Sequence, residues 1–273
     1  MHHSRSHILR FLLLSLLLTA TLSCEKEIDI DYRTVSPLYV AEVELTPGLA
    51  KARITTTRAI ENNQVTGTYV DNATITMTMV NGGWTFPLEY KGKGIYETSY
   101  PTMEGSEYLV DIEIDGDHYT STSTMLSEPV INSFDFVWMD VMSERILFAD
   151  LRLMDIPDEH NYYFMHIYRN GVGYRWAVMR DTANPGDELQ QLFSCSTERD
   201  MEKGDSDALK DGDRIKLEVR SIDKLAYDYL YSLQMMDNTG SNPIQNFSGG
   251  LLGYFSAYQS KTLERIFHEY DIQ

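Results

Sequence analysis

The chain of 273 residues carries 23 basic and 41 acidic side chains, for a formal charge of −18. A balance so acidic repels phosphate backbones and anionic headgroups, which argues against nucleic acid as a partner. The length suffices for one large domain or two modest ones, each with its own core.

Residues 1–10 hold Arg5, Arg10 and three histidines, and residues 11–23 read FLLLSLLLTATLS. A charged segment before a short apolar one is the pattern of a secretory signal. The run of roughly 13 residues falls short of the about 20 that a spanning helix needs. It stops at Cys24 and turns at once into the acidic stretch EKEIDID. A lone cysteine where cleavage would fall resembles a bacterial lipoprotein signal, in which the thiol is acylated and becomes the new N-terminus. The expected division is a signal peptide over 1–23, lipidation at Cys24 and an acidic tether over 24–36. Acyl chains contribute about 0.8 kcal/mol per buried CH₂, so several on one residue anchor a folded body without a transmembrane helix. Lys26, Glu27 and Asp29 resemble the surface-export signal of Bacteroidetes lipoproteins, which implies the outer face of the outer membrane. Removing 1–23 takes away two arginines and no acid, moving the charge from −18 to −20. Cys195 is then the one remaining thiol besides Cys24, and its setting, LFSCSTE, reads as a small hydrophobe in a strand.

From Leu38 to Met125 short alternating segments follow one another: LYVAEVEL, ARITTTR, ATITMTMV, WTFPLEY, IYETSY, EYLVDIEI and HYTSTSTM. Period-two patterning with turn signals every 8–12 residues predicts an antiparallel sandwich, and seven strands suit an immunoglobulin-like domain over 37–127. Asp115 and Gly116 supply the dipeptide preferred in a tight hairpin. The spacing of Asp111, Glu113 and Asp115 imitates a calcium loop, but its twelfth position is Thr122, where a bidentate glutamate is needed.

Pro129 interrupts the pattern and opens a second β-rich domain over 128–273. Its strands read FDFVWM, RILFADLRL, YYFMHIYRN, YRWAVMR, LQQLFSCS and DRIKLEVRS. The fold class expected is thus mainly β, an immunoglobulin-like sandwich followed by a β-rich domain with one helix. That helix lies near 223–236, capped at Asp223, with Leu225, Tyr229 and Leu233 on its apolar face beside Ala226 and Leu230. The loop EKGDSDALKDGDR reads as solvated, with weak calcium binding as the lesser alternative. His160 and His166 make a poor metal pair, since zinc needs three or four ligands. No HExxH, CxxC or GxSxG occurs after the signal, and the carboxylates are too many for one pair to stand out. No cofactor, metal or catalytic residue is therefore expected. DTA at 181–183 is similar to a short O-glycosylation motif.

Beyond the helix comes NPIQNFSGGLLGYFSAYQS. Gly249, Gly250 and Gly253 imply backbone at positive φ or in close approach to another segment. Leu251, Tyr254 and Phe255 are expected to enter the core as the final strand begins. The ending QNFSGGLLGYFSAY, from Asn246 onward, resembles the signature of a family of Bacteroidetes outer-membrane lipoproteins catalogued as domain of unknown function four-two-four-nine. EGSEYLVDIEIDGDHYTSTSTM, DEHNYYFMHIYRNG, GDRIKLEVRSID and YDYLYSL agree with it in order. The resemblance implies a partner, a TonB-dependent receptor, and brings no catalytic residue. The expected function is a surface-exposed lipoprotein, not an enzyme, that acts as an accessory or binding component of TonB-dependent uptake. A lipid-anchored hydrolase and an adhesin are the alternatives.

Overall fold

The computed structural model describes residues 37–57, 68–156, 160–181, 186, 188–201, 204, 207–239 and 243–272. Cys24, Lys26, Glu27 and Asp29 lie outside the described residues, as do Thr182 and Ala183 of the DTA triplet.

Alternation between buried and solvated side chains builds the first sandwich. On β1 (Tyr39–Thr46) Ala41, Val43 and Leu45 are buried, while Glu42 and Glu44 point away from the core. β7 (Glu107–Ile114) buries Tyr108, Val110, Ile112 and Ile114 in the same way. One sheet contains β1, β2 (Gly48–Thr56), β6 (Ile95–Tyr100) and β5 (Glu89–Gly92). The facing sheet has the order β4 (Trp84–Pro87), β3 (Thr74–Met79), β7 and β8 (Asp117–Thr124). Asp115 and Gly116 turn β7 into β8 with φ of 54° and 92°, the double positive φ of a tight hairpin.

WTFPLEY, expected as one strand, is two. Pro87 has no N–H with which to extend a ladder, and the chain changes sheets there: β4 pairs with β3, and β5 with β6. Leu88 is buried between them, its N–H donating to Ile75 O at 2.9 Å.

The second segment is also a sandwich. β13 (Glu188–Cys195), β10 (Glu144–Met154) and β9 (Ile131–Val141) form one sheet. β12 (Val172–Arg180), β11 (Tyr162–Arg169), β14 (Arg214–Ile222) and β16 (Gln259–Ile266) form the other. Taken in chain order, β9, β10, β11, β12, β13, β14 and β16 repeat the placement of β1, β2, β3, β4, β6, β7 and β8. Both modules thus have the strand arrangement of immunoglobulin-like domains. A short helix, α1 (Glu198–Met201), follows β13.

The modules differ at one connection. Where Asp115–Gly116 closes the first, the second makes an excursion through α2 (Lys224–Thr239), a 3₁₀ turn at Ser248–Gly250 and β15 (Leu252–Ala257) before β16. β15 pairs in parallel with β1, from Val40 opposite Leu252 to Leu45 opposite Ala257. Phe247, Leu251, Phe255 and Ala257 accordingly belong to the first core, although the division at 128 assigns them to the second domain. β15 is not the last strand, since β16 follows. Pro37–Gln273 form one compact unit.

Asp223 caps α2: its Oδ1 accepts from Ala226 N at 2.9 Å and its Oδ2 from Thr124 N, at the end of β8, at 2.9 Å. The helix buries Ala226, Tyr227, Tyr229 and Leu230, leaving the expected Leu225 and Leu233 exposed. Tyrosine contacts rotate the face, with Tyr227 packing on Tyr162 at 5.0 Å and Tyr229 on Tyr254 at 5.5 Å. Among the described residues no helix is long and apolar enough to cross a membrane.

Candidate functional site

The motif around Asn246–Phe255 is a clasp between the excursion and the first sandwich. β8 is an edge strand of its sheet, and β1 would be the edge of the facing one without β15, so both have backbone groups that need a cover. β15 pairs along β1, and side chains of β8 hold its approach. Asn246 Oδ1 accepts from Ser121 Oγ at 2.7 Å and from Phe255 N at 2.9 Å. Ser248 Oγ accepts from Thr120 N at 2.8 Å, and Ser123 Oγ accepts from Ala257 N at 2.8 Å. Gly249, Gly250 and Gly253 all have positive φ, at 72°, 85° and 103°. A Cβ on Gly249 would come within 2.9 Å of the Tyr119 ring, one on Gly253 would overlap the carbonyl of Ala41, and one on Gly250 would meet nothing. Phe255 enters the first core as expected, whereas Tyr254 packs against α2. Alternation along β15 sends neighbouring side chains to opposite faces, which separates the two.

The outward face of β1 and β2 meets the sheet of β11 and β14 at the joint between modules. Glu42, Glu44, Lys51 and Arg53 face Phe164, His166 and Arg220 across a cleft of about 280 Å³, which Tyr254 also lines. Arg220 spans it, with Nη1 2.7 Å from Glu44 Oε1 and Nε 2.9 Å from Glu218 Oε1. Its guanidinium lies 4.5 Å from the Tyr258 ring centroid and 5.2 Å from that of Phe164. Burial opposes the charge on Arg220, but Tyr258, Glu44 and Glu218 outweigh it and keep the side chain ionised. Burial likewise raises the Glu218 carboxyl, yet Arg220, Tyr168 and Lys216 hold it below the usual glutamate range. His166 lies 4.0 Å from Tyr168, ring to ring, and burial followed by the charge of Arg220 pushes its pKa down, so it is neutral at neutral pH. This arrangement locks two modules together. Nothing in the outward alternation of Glu42 and Glu44 distinguishes it from a solvated face, and sequence reasoning missed it.

At the opposite end of the second sandwich it is the turns that are exposed. The β9–β10 hairpin reverses at Met142 and Ser143 with φ of 48° and 74°, and Met142 is 96% exposed. The neighbouring β11–β12 turn exposes Val172, and Tyr270 beyond β16 is exposed too. Asp213, in the loop weighed for calcium, accepts from Arg169 Nε at 2.7 Å, Asn170 Nδ2 at 2.7 Å and Lys210 N at 2.9 Å. Its role is to close the end of β11 onto β14. Residues 202, 203, 205 and 206 of that loop lie outside the described residues. His160 stands exposed 3.8 Å from Asp181, while His166 faces the joint. Among the described residues no group of three or more His, Cys, Asp or Glu is placed to hold a metal. Cys195 is buried, and burial pushes its thiol up to about 11, which leaves it protonated at neutral pH.

The model of the family described as Domain of unknown function (DUF4249) matches residues 25–264. The chain belongs to this family. The DUF4249 match starts just after Cys24 and takes in both sandwiches, the excursion and most of β16. No curated protein matches the chain. Among solved structures, a two fibronectin type-III domain segment from chicken tenascin is similar at 13% identity, over 84% of this chain and 99% of that one, with a TM-score of 0.23. The immunoglobulin-like assignment rests on the strand order given above.

Proposed function

We propose that this chain is a lipoprotein anchored through Cys24 on the outer face of the outer membrane. There it serves, without chemistry of its own, as a binding component of a TonB-dependent uptake system. Lys26, Glu27 and Asp29 are the export address, and residues 24–36 the tether. The observation that carries the binding role is the exposed end of the second sandwich. Met142 holds a left-handed backbone conformation that costs about 1–3 kcal/mol for a residue other than glycine, a strain that clusters at functional sites. Its thioether is nearly bare, and methionine adapts to irregular partner surfaces. The clasp and the Arg220 joint hold both modules as one unit, so a tether at the start of the chain constrains where that end is presented. Confinement in one membrane raises the effective concentration of two partners, and a modest interface then stays occupied.

Fractionation of cells expressing the wild type and Cys24→Ser tests the anchor. The wild type should sediment with outer membranes and, under mild detergent, bring down a TonB-dependent receptor; the variant should appear in the soluble fraction, folded. A serine variant that still sediments after a high-salt wash would overturn the lipoprotein reading. Turnover of a polysaccharide or peptide by the purified chain would favour the hydrolase.

A further inference from the structure

We infer that the cavity beneath the β9–β10 hairpin is a binding site for a neutral saccharide, an inference that does not depend on the membrane reading. The hairpin outruns its sheet. Leu147 pairs with Cys195, the last residue of β13, whereas the β9–β10 ladder continues through Trp138 opposite Leu147 to Val141 opposite Glu144. The projecting part walls one side of a cavity of about 420 Å³, and the turn from β13 into α1 walls the other. That volume falls within the roughly 300–1,000 Å³ of small-molecule sites.

Trp138, Glu144 and Arg145 come from the hairpin, and Ser194, Thr197 and Asp200 from the opposite wall. Trp138 and Arg145 are diagonal neighbours across the two strands, and the guanidinium lies 5.4 Å from the indole centroid. Among the described residues Arg145 makes no ion pair, even with Asp140 directly opposite in the ladder. The opposite wall is already set. Asp200 Oδ2 accepts from Thr197 N at 2.7 Å and from Thr197 Oγ1 at 3.3 Å, Tyr174 OH accepts from Ser196 N at 3.3 Å, and Arg175 Nε donates to Ser194 O at 3.1 Å.

The lining decides the ligand class. Two carboxylates against one guanidinium disfavour phosphate and other anions. Hydroxyls and charges disfavour an alkyl chain, whose burial would strip water from them without return. What fits is an uncharged molecule with many hydroxyls and one apolar face. A sugar ring can lay its C–H face against the Trp138–Arg145 pair, while the carboxylate of Glu144, which projects from the other face of the strand, takes vicinal hydroxyls at the rim.

The probe is a panel of maltotriose, cellotriose, xylotriose, mannotriose, galactotriose and chitotriose, titrated into the full chain in mild detergent with tryptophan emission and calorimetry as readouts. At least one should bind saturably. Trp138→Ala should weaken that binding more than tenfold, and Trp84→Ala, on the exposed β4, should leave it unchanged. Trp138 also packs on the core, so Glu144→Gln on the exposed rim is the second variant. It should weaken binding several-fold at an unaltered melting temperature. Absence of binding across the panel, binding that survives both Trp138→Ala and Glu144→Gln, or a response confined to sulfated or sialylated oligosaccharides would overturn the inference.

Discussion

The carbonyl oxygen of Ala41 occupies the place where Gly253 would carry a side chain. The two residues face each other in the parallel ladder between β1 and β15, and Gly253 has a φ of 103°. Substitution there meets two penalties at once, a backbone conformation that L residues avoid and a collision with main chain that cannot rotate away.

Gly253→Ala should therefore cost more than the about 1 kcal/mol of a typical point substitution, roughly 3 kcal/mol or above, and release β15 from β1. Gly250→Ala meets strain alone, because no atom lies within 4 Å of its Cβ position, and should cost about 1 kcal/mol. Urea unfolding of both variants measures the difference. Equal losses would mean that β15 shifts freely along β1 and that the close approach is not a constraint.

Asn246 makes the second test of the clasp. Its Oδ1 serves both Ser121 and the buried N–H of Phe255. Asn246→Ala strands that N–H and should cost about 1–3 kcal/mol, with Ser121→Ala costing less, since its hydroxyl leaves with its own need for a partner. The double variant should fall short of the sum of the two. Full additivity in a double-mutant cycle would sink the claim that the two side chains act as one connection.

What was legible in the sequence was local. EYLVDIEI alternates because one face of β7 is buried, Asp115–Gly116 satisfies a hairpin with double positive φ, and Asp223 carries the oxygen that a helix start needs. The three motif glycines pointed to positive φ for the same local reason. The partner of each strand was not legible, because period two says which residues are buried and nothing about which sheet receives them. Pro87 thus hid a change of sheet inside one alternating run, and β15 found its partner at the other end of the chain. On α2 a preference for leucine chose Leu225 and Leu233, while larger tyrosine surfaces supplied the burial. The Arg220 joint and the Trp138 cavity each gather residues from separate strands, so no spacing announces them.

Arg220 should be the most sensitive charged residue of the joint. Arg220→Ala leaves Glu218 and Glu44, both partly buried, without their cation, at a cost of about 3 kcal/mol. Glu44→Gln keeps the Arg220–Glu218 pair and should cost about 1 kcal/mol. Because the guanidinium is largely out of solvent, 1 M salt should narrow the gap between these variants only slightly. A cost for Arg220→Ala no greater than that for Glu44→Gln would assign the joint to α2 and β15 alone.

Acid should weaken the second sandwich through Asp213. Burial raises its carboxyl, but Lys210 N, Asn170 and Arg169 outweigh that and hold it below the usual aspartate range. Glu218 is lowered in the same sense, and Asp223, raised by burial against its hydrogen bonds, works in the opposite one. For a carboxyl lowered on folding, the unfolded chain takes up the proton first as pH falls. Its contribution is complete above the unfolded value of about 3.9 for aspartate and is lost as pH drops through the lower folded value. Urea midpoints of the wild type should thus hold near neutral pH and fall steeply below about pH 4. Asp213→Asn should lower stability at pH 7 by about 1–3 kcal/mol, because Arg169 loses its anion, and should flatten the acid limb. An acid limb of the same slope in both proteins would show that Asp213 takes no part in the acid response and that the loss lies with other carboxyls.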